Sequence, residues 1–463
     1  MSWQFSVVAS AGPTSVHGSA WRGAPVMGLL DLPDGALAVV LEFVGKGPDG
    51  ISDIARTSCV NKHFRVLAYE MQGRMRTLDV RSLGRRARHA VPHLARRMKC
   101  LKCVFCDRTN VTDECVTVLL DASGDTLERL SLADCRHLRA LHTLPDAEPS
   151  SEAVPTANRR FGRLRELDIS GSSWSPPALI SLLVGASNSL TALNLSSTHV
   201  GSGFVRSGDD FGDVAAAVLG GKKLTRLNLG APVDFVVPCL VLNVFTRIDI
   251  NGELTSGLAE PIGVISGATE VCGRHDFSSA FFVSIEELSF QRNAAVNDTI
   301  LAKVGKLCVK LVRLDVRGTT VSREGIDSFA KNATCAPNLT SLLLGGVESL
   351  DDETLRAVAS SCRALQELDL SMHNLVGEAG IEALTYNCQH LRRLRISRNA
   401  KVTANALGKL VTHGSLETLS AVRCGRANER ALRALAKERS DPIKGNCRID
   451  VVGDDFEWTT GGG

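Results

Sequence analysis

The chain is poor in the features that mark several classes of protein. Only 5% of its 463 residues are aromatic, and no run of 18 or more apolar residues occurs. The longest apolar candidate, residues 231–245, contains Asp234 and two prolines, so the sequence predicts no membrane span. The N-terminus lacks a basic n-region, which argues against a signal peptide. A net charge of only +3 predicts no general attraction to nucleic acid or membrane surfaces.

Motifs of common enzyme classes are absent as well. The sequence has no P-loop, no G-x-S-x-G nucleophile elbow and no H-E-x-x-H zinc motif. We therefore expect no catalytic residues and no cofactor. The 14 cysteines are spread along a chain without a secretory signal, so free thiols in the cytoplasm and/or the nucleus are expected.

One stretch, "HAVPHLARRMKCLKCVFC", carries residue types that ligate zinc. Its candidate ligands are His89, His93, Cys100, Cys103 and Cys106. A structural interpretation competes with the zinc site, because Pro92 should break the helix that would align the histidines. Cys106 also takes an apolar strand position, so we predict no metal.

An apolar pattern, L-x-x-L-x-L, recurs along most of the chain. Its clear copies begin at Leu127, Leu164, Leu190, Leu224, Ile285, Leu311, Leu339, Leu365, Leu391 and Leu416. Weaker copies begin at Leu101 and Phe245. The last six clear copies start 25 to 28 residues apart, which lies within the spacing of about 20–29 residues that is typical of leucine-rich repeats.

Each repeat combines two periodicities. Alternating apolar and polar residues at the end of the pattern predict a short strand. After Leu350, "DDETLRAVASSC" places Leu355, Val358, Ala359 and Cys362 on one side of a helix that begins at capping aspartates. The predicted fold is an α/β leucine-rich-repeat solenoid (horseshoe), with strands on the concave face and helices outside. The cysteines predicted to be buried just before strands are Cys308, Cys335, Cys362 and Cys388.

Breaks in this register divide the chain into segments. We predict a disordered N-terminus over 1–28, a helical module over 29–70, a basic linker or capping helix over 71–100, the solenoid over 101–452 and a flexible tail over 453–463. Loop insertions are expected near 145–163, 201–213 and 251–284. The basic stretch 74–102 fits either a nuclear-import or nucleic-acid patch or a solvated linker helix, and the lack of interleaved aromatics favours the linker.

The helical module has two apolar stripes. The first lies in "LLDLPDGALAVVLEFVG", where a proline is placed to start the helix. The second lies in "ISDIARTSCVNKHFRVLA". About forty residues bury little surface alone, so a partner or the open end of the solenoid must cover them.

These two helical segments resemble the F-box, and repeats with a cysteine before the strand resemble the cysteine-containing class of leucine-rich repeat. Together they resemble the F-box and leucine-rich-repeat protein family over nearly the whole chain. The resemblance implies a substrate-recognition subunit of an SCF-type cullin-RING E3 ubiquitin ligase. In that role the F-box docks on the ligase adaptor and, through it, the cullin, while the solenoid binds the protein to be ubiquitinated for proteasomal degradation.

The same resemblance implies which residues face the adaptor. They are Leu32, Pro33, Leu37, Val40, Leu41, Val44, Ile54, Cys59, Val60 and Phe64. The alternative is a leucine-rich-repeat scaffold for protein interactions, in which the helical segment only caps the first repeat.

Arginines dominate the C-terminal part of the predicted concave face. The candidate substrate-binding residues are Arg292, Arg313, Arg317, Arg393, Arg395, Arg398 and Arg423. Guanidinium groups on a rigid surface bind carboxylates and phosphates, so the hypothesis is a protein substrate with an acidic or phosphorylated segment. The opposing interpretation is that these charges are solvated or pair with Glu367 and Asp369 on a neighbouring repeat.

Overall fold

The computed structural model describes ten parts of the chain. They are residues 72, 74–98, 100–138, 161–200, 217–218, 221, 223–230, 280–413, 415–424 and 450–451. The chain divides into two units, and all of these residues lie in the second, Gln72–Gly463. The predicted N-terminus, the F-box-like module with its adaptor-facing residues, and the tail over 453–463 lie outside the described residues.

Thirteen of the described strands form one parallel sheet, in the order of the chain. They are β1 (Thr77–Asp79), β2 (Cys103–Phe105), β3 (Arg129–Ser131), β4 (Glu166–Asp168), β6 (Ala192–Asn194), β8 (Arg226–Asn228), β9 (Glu287–Ser289), β10 (Arg313–Asp315), β11 (Ser341–Leu343), β12 (Glu367–Asp369), β13 (Arg393–Arg395), β14 (Thr418–Ser420) and β15 (Asp450–Val451). Two short strands, β5 (Ser173–Trp174) and β7 (His199–Val200), pair only with each other.

Helices lie in the connections between strands. The described helices are α1 (Ala87–Arg97), α2 (Asp113–Ser123), α3 (Pro176–Ala186), α4 (Ala280–Ser284), α5 (Asp298–Leu307), α6 (Arg323–Asn332), α7 (Asp352–Ser361), α8 (Glu378–Asn387) and α9 (Ala404–His413). Consecutive helices from α5 to α9 pack side by side. Within the described part of the chain, no helix combines the length and hydrophobicity needed to cross a bilayer.

The L-x-x-L-x-L pattern produces the core. In β10, β11 and β12 the middle residues Leu314, Leu342 and Leu368 lie opposite one another and are almost fully buried. Burying such a side chain contributes about 1.5–3 kcal/mol, so each repeat is stabilised by the same stacked leucines. The described residues therefore form the predicted solenoid of alternating strands and helices.

Helix α7 confirms the sequence prediction for its segment. Leu355, Val358 and Ala359 are buried on its inner side. The Asp351 carboxylate caps the helix by accepting a hydrogen bond from the Thr354 N–H at 2.9 Å. Cys362 ends the helix in the core, where burial raises the pKa of its thiol to about 12. The thiol is therefore a small apolar filler at neutral pH.

A second buried column is polar. Nine of the described repeats carry one buried side chain after the strand that contacts a backbone carbonyl. This side chain donates to the carbonyl or lies within hydrogen-bond distance of it. The carbonyl follows a strand in the same repeat or in the preceding one. The nine are Thr109, Cys135, Ser172, Thr198, Asn293, Thr319, His373, Asn399 and Cys424. We call this column the polar ladder. Because a buried carbonyl without a partner is costly, the ladder fixes where each repeat must turn.

The solenoid begins before residue 101, the boundary that the sequence predicted. Strand β1 lies inside the expected linker and pairs in register with β2. Its Leu78 and the following Val80 are fully buried. The first repeat carries Met75, Leu78 and Val80 at the three pattern positions, so a search for leucine alone does not find it.

The sequence predicts a weak copy of the pattern at Phe245, between the segments of β8 and β9. Strand β8 pairs directly with β9, with Arg226 opposite Glu287. Residues 231–279, which include that copy, lie outside the described residues. Among the described strands, β8 and β9 are therefore direct neighbours.

His373 is the most unusual member of the polar ladder. Its ring is fully buried, with Nε2 3.1 Å from the Leu344 carbonyl oxygen and Nδ1 accepting from the Leu350 N–H at 3.2 Å. This geometry requires a neutral ring with its proton on Nε2, because a second proton on Nδ1 would face the Leu350 N–H. Burial lowers the pKa of His373 to about 4.

We predict that His373 makes the protein less stable in acid. The pKa of His373 is lower in the folded protein than in the unfolded chain, so the unfolded state binds more protons in acid. The free energy of unfolding therefore decreases as pH falls below about 6.5. Between about pH 7 and about pH 4 the free energy of unfolding should fall by on the order of 3 kcal/mol through this residue. His373→Asn, which copies Asn399 in the next repeat, should flatten that dependence in urea unfolding measured across this range.

The matched control is His390→Asn, since His390 is exposed. That variant should keep the pH dependence of the unmodified protein. An unchanged slope in His373→Asn would show that His373 does not cause the acid sensitivity.

Candidate functional site

The first and third residues of the strands lie on the side of the sheet opposite the buried middle leucines, and we call this side the sheet face. In most strands these residues are at least partly exposed, whereas in β11 and β12 they are buried. A groove of about 320 Å³ crosses its middle, from Phe105 on β2 to Leu343 on β11. Parallel pairing in register places equivalent residues of neighbouring strands about 4.8 Å apart. The first residues of the strands therefore form a continuous row, which we call the first column.

The first column carries a symmetric set of charges along the groove. In strand order it runs Glu166, Ala192, Arg226, Glu287, Arg313, Ser341 and Glu367. On either side of Glu287 comes an arginine, then a small residue, then a glutamate. Neither the repeat length nor the apolar pattern requires this symmetry.

Both arginines reach across the small residue to the outer glutamate. Arg226 Nη2 lies 2.9 Å from Glu166 Oε1, across Ala192. Arg313 Nη2 lies 3.1 Å from Glu367 Oε2, across Ser341. The small side chains leave room for these spans, so both guanidinium groups are directed away from Glu287.

The Arg313 pair is the better protected of the two. Glu367 is only 7% exposed, and its Oε2 also accepts from the Ser341 hydroxyl at 2.9 Å. Two donors on one oxygen of a buried carboxylate form a small network, which is worth more than an exposed ion pair.

The third residues of the strands add a second ion-pair group. Arg317 holds Asp315 with a two-pronged contact, Nε to Oδ1 at 3.0 Å and Nη2 to Oδ2 at 2.7 Å. Its Nη1 lies 3.9 Å from Asp369 Oδ2. Burial lowers the pKa of Arg317 and the hydrogen bond to Asp315 raises it, with a net rise. Arg317 is thus permanently charged and already occupied.

The seven candidate arginines therefore fall into three groups. Arg313 and Arg317 pair with Glu367, Asp315 and Asp369, as the opposing interpretation of the sequence anticipated. Arg393, exposed, and Arg395, half-buried, lie on β13. The third group, Arg292, Arg398 and Arg423, occupies turns after strands rather than strands.

Those turns share one backbone conformation. Arg292, Arg398 and Arg423 have φ angles of 59°, 61° and 57°, in the left-handed region. The N–H of Arg398 donates to the Val422 carbonyl of the next repeat at 2.8 Å, which holds the turn in place. Gly318 occupies the same turn position in another repeat with φ of 65°, a conformation that glycine adopts without strain. The structure brings Arg393, Arg395 and Arg398 together in one repeat, beside Arg423, and leaves Arg292 four strands away.

The candidate zinc ligands do not converge. Cys103 lies on the sheet face of β2, whereas Cys106 lies in the core, where burial raises the pKa of its thiol well above the usual range. Among the described residues, no group of three or more His, Cys, Asp or Glu side chains is placed to hold a metal ion.

The prediction that Pro92 breaks a helix is wrong. Helix α1 continues through it, so His89 and His93 are one turn apart on one helix. Proline cannot donate to the Arg88 carbonyl four residues earlier. The Cys115 thiol donates to that carbonyl instead, at 3.2 Å, which removes the cost that a free carbonyl would carry.

Comparison with known proteins identifies the repeat. The family described as Leucine Rich repeat matches residues 361–384, which run from the end of α7 through β12 into α8. With the 13-stranded parallel sheet, this match defines the described part of the chain as a leucine-rich-repeat solenoid.

Three solved structures are distantly similar. A chain from the Rad7 and Elc1 complex of yeast shares 14% identity, covering 86% of this chain and 90% of that one, with a TM-score of 0.40. An internalin, InlF, from Listeria monocytogenes shares 14% identity, with 80% and 87% coverage and a TM-score of 0.40. A leucine-rich-repeat protein from Leptospira interrogans shares 15% identity, with 77% and 74% coverage and a TM-score of 0.33. These similarities are too low to bear on function.

The repeat pattern places Glu287 on the predicted concave face but does not mark it as a site residue. Its environment depends on the small residues Ala192 and Ser341, which let the neighbouring arginines turn away. The small residues in the first column are the feature from which this environment could be predicted. Recognising them requires the register of the whole sheet.

We predict that Arg313 and Glu367 are energetically coupled. A double-mutant cycle with Arg313→Ala and Glu367→Gln, measured by urea unfolding, should give a coupling of about 1–2 kcal/mol because the carboxylate is buried. The control cycle uses Arg392 and Glu417, whose Nη1 and Oε1 atoms are 3.5 Å apart and whose side chains are 58% and 51% exposed. This cycle should give a coupling of less than about 0.5 kcal/mol. Equal couplings would mean that the first-column ion pairs are ordinary surface contacts.

Proposed function

We propose that this protein is a non-catalytic receptor that binds a segment of another protein on the sheet face. The proposal rests on one observation, the exposure and pairing of Arg393. It is exposed, and among the described residues it makes no ion pair. Glu367, its neighbour on β12, already holds Arg313 and Ser341. A cation held on a rigid strand without a carboxylate of its own suits an acidic ligand.

The neighbouring groups extend this positive surface. Arg395 lies two residues further along β13, and Arg398 and Arg423 follow in the turns of two successive repeats. Planar guanidinium groups bind carboxylates and phosphates with two parallel hydrogen bonds. The proposed ligand is therefore an acidic or phosphorylated protein segment.

The more specific proposal is a role in ubiquitination. The resemblance of residues 29–70 to the F-box supports a substrate-recognition subunit of an SCF-type cullin-RING ligase. In this proposal the module docks on the ligase adaptor and thereby on the cullin, other subunits perform the chemistry, and the captured protein goes to the proteasome. The protein would act in the cytoplasm and/or the nucleus.

One observation favours the alternative, a scaffold whose N-terminal segment is a cap. Strand β1 is the first strand of the sheet, and among the described residues it pairs only with β2. The open edge of a repeat array needs a polar cover, which the helical segment would supply in this case.

We predict that the full-length protein binds the purified ligase adaptor. Replacing Leu32, Pro33 and Leu41 together by alanine should reduce binding at least tenfold in a pull-down or by calorimetry, because these residues would form the apolar docking surface. The matched control replaces Val7, Pro25 and Val26 by alanine and should bind like the unmodified protein.

Failure of the unmodified protein to bind the adaptor would exclude the ligase role. If the Leu32, Pro33 and Leu41 variant instead lowers the unfolding midpoint of the solenoid, the segment is a cap. The same variant with unchanged solenoid stability and lost adaptor binding supports docking.

A further inference from the structure

Among the described residues, the first column holds two charges that ion pairs leave unmatched, and they have opposite signs. One is Glu287 on β9, and the other is Arg393 on β13. Both are in the first column. Among the described residues neither makes an ion pair, although each has a charged neighbour on an adjacent strand.

Glu287 is left unmatched by the geometry on both sides. Arg226 and Arg313 flank it on β8 and β10, yet their guanidinium groups lie 2.9 Å and 3.1 Å from the carboxylates of Glu166 and Glu367. Glu287 also lines the groove in the middle of the sheet face. Its carboxylate is therefore available to a cation that enters the groove.

Arg393 is left unmatched because its neighbours are already used or neutral. On β12, Glu367 accepts from Arg313 and from Ser341 through one oxygen. On β14 the opposite residue is Thr418. A carboxylate or phosphate supplied by a ligand would complete the interactions of Arg393 without displacing an existing pair.

The register of the sheet fixes the distance between these two charges. Glu287 and Arg393 are four strands apart in the sheet order, which corresponds to about 19 Å at about 4.8 Å per strand. The first-column residues between them, Arg313, Ser341 and Glu367, are joined to one another and carry no net charge. An extended chain advances about 3.3 Å per residue, so about six residues span this distance.

We propose that Glu287 and Arg393 together select an extended protein segment carrying a lysine or arginine five to seven residues from an acidic or phosphorylated side chain. The segment crosses the strands along the first column, with its basic side chain at Glu287 and its acidic side chain at Arg393. This inference rests on the proposed function, that the sheet face binds a protein segment, and adds the spacing and the second charge. It does not depend on the ligase adaptor.

The test is an array of synthetic peptides probed with the full-length protein. Each peptide has a background of glycine, serine and alanine, with one lysine and one glutamate or phosphoserine separated by three to nine residues, in both orders. Retention should be greatest at separations of five to seven. It should be about fivefold or more lower at three and at nine, because only one charge can then be engaged.

Two isosteric variants assign the charges. Glu287→Gln should abolish the preference for lysine over glutamine in the peptide and keep the preference for the acidic residue. Arg393→Gln should do the reverse. The matched controls are Glu417→Gln and Arg392→Gln, at exposed positions beside β14 and β13, and they should retain both preferences and the spacing optimum.

Each outcome decides between this inference and the proposed function. A flat spacing profile, or a lysine preference that survives Glu287→Gln, overturns the two-charge inference while an acidic preference still supports the receptor. No acidic preference at any spacing overturns the proposed arginine site as well. Circular dichroism of each variant shows that the fold is retained.

Discussion

Parallel pairing in register is the constraint on which the rest of this structure depends. Each repeat contributes one very short strand, and the backbone bonds between repeats leave no freedom in how these strands align. The Thr340 carbonyl, for example, accepts from the N–H groups of both Gln366 and Glu367, at 2.8 and 2.9 Å. Every position of one repeat therefore lies beside the same position of the next. The buried leucines, the polar ladder, the left-handed turns and the first column are consequences of this alignment.

The same alignment creates the candidate site. Arg226 and Glu166 are 60 residues apart in sequence and meet only because β4, β6 and β8 stack in register. Which charges then pair depends on the size of the side chain between them. Ala192 and Ser341 allow an arginine to pass over one strand, and this leaves Glu287 and Arg393 for a ligand. A surface with nearly balanced charge thus acquires a specific pattern of unmatched charges.

Much of the fold could be predicted from the sequence, because the repeat couples apolar spacing directly to the core. The segment of α7 shows this, since its apolar positions and its capping aspartate occupy the predicted places. The first repeat was not predicted, because methionine and valine replace leucine around Leu78. Continuity of α1 through Pro92 was not predicted either; the thiol that donates to the Arg88 carbonyl belongs to Cys115 on another helix, which the local sequence does not show.

The site was harder to predict than the fold. The repeat pattern identified arginines near the C-terminal end of the sheet face. It could not show that Arg313 pairs with Glu367 two strands away, or that Arg317 pairs with Asp315 of its own repeat. It also could not show that Arg398 and Arg423 lie in left-handed turns, because arginine gives no signal for that conformation as glycine does. The direction of a side chain depends on the size of its neighbours in space. These neighbours belong to other repeats, so the sequence of a single repeat does not reveal them.

Binding of partners on the sheet face rather than on the helices is tested most directly by site-specific photo-crosslinking in cells. A photoreactive residue in place of Thr418, opposite Arg393 on β14, reports on the sheet face. The same residue in place of Tyr386, which is 75% exposed on α8, reports on the helices. We expect a protein crosslinked through position 418 that disappears when Arg393 is replaced by glutamate. Crosslinking through position 386 alone, or a product at position 418 that does not depend on Arg393, would contradict binding at the sheet face.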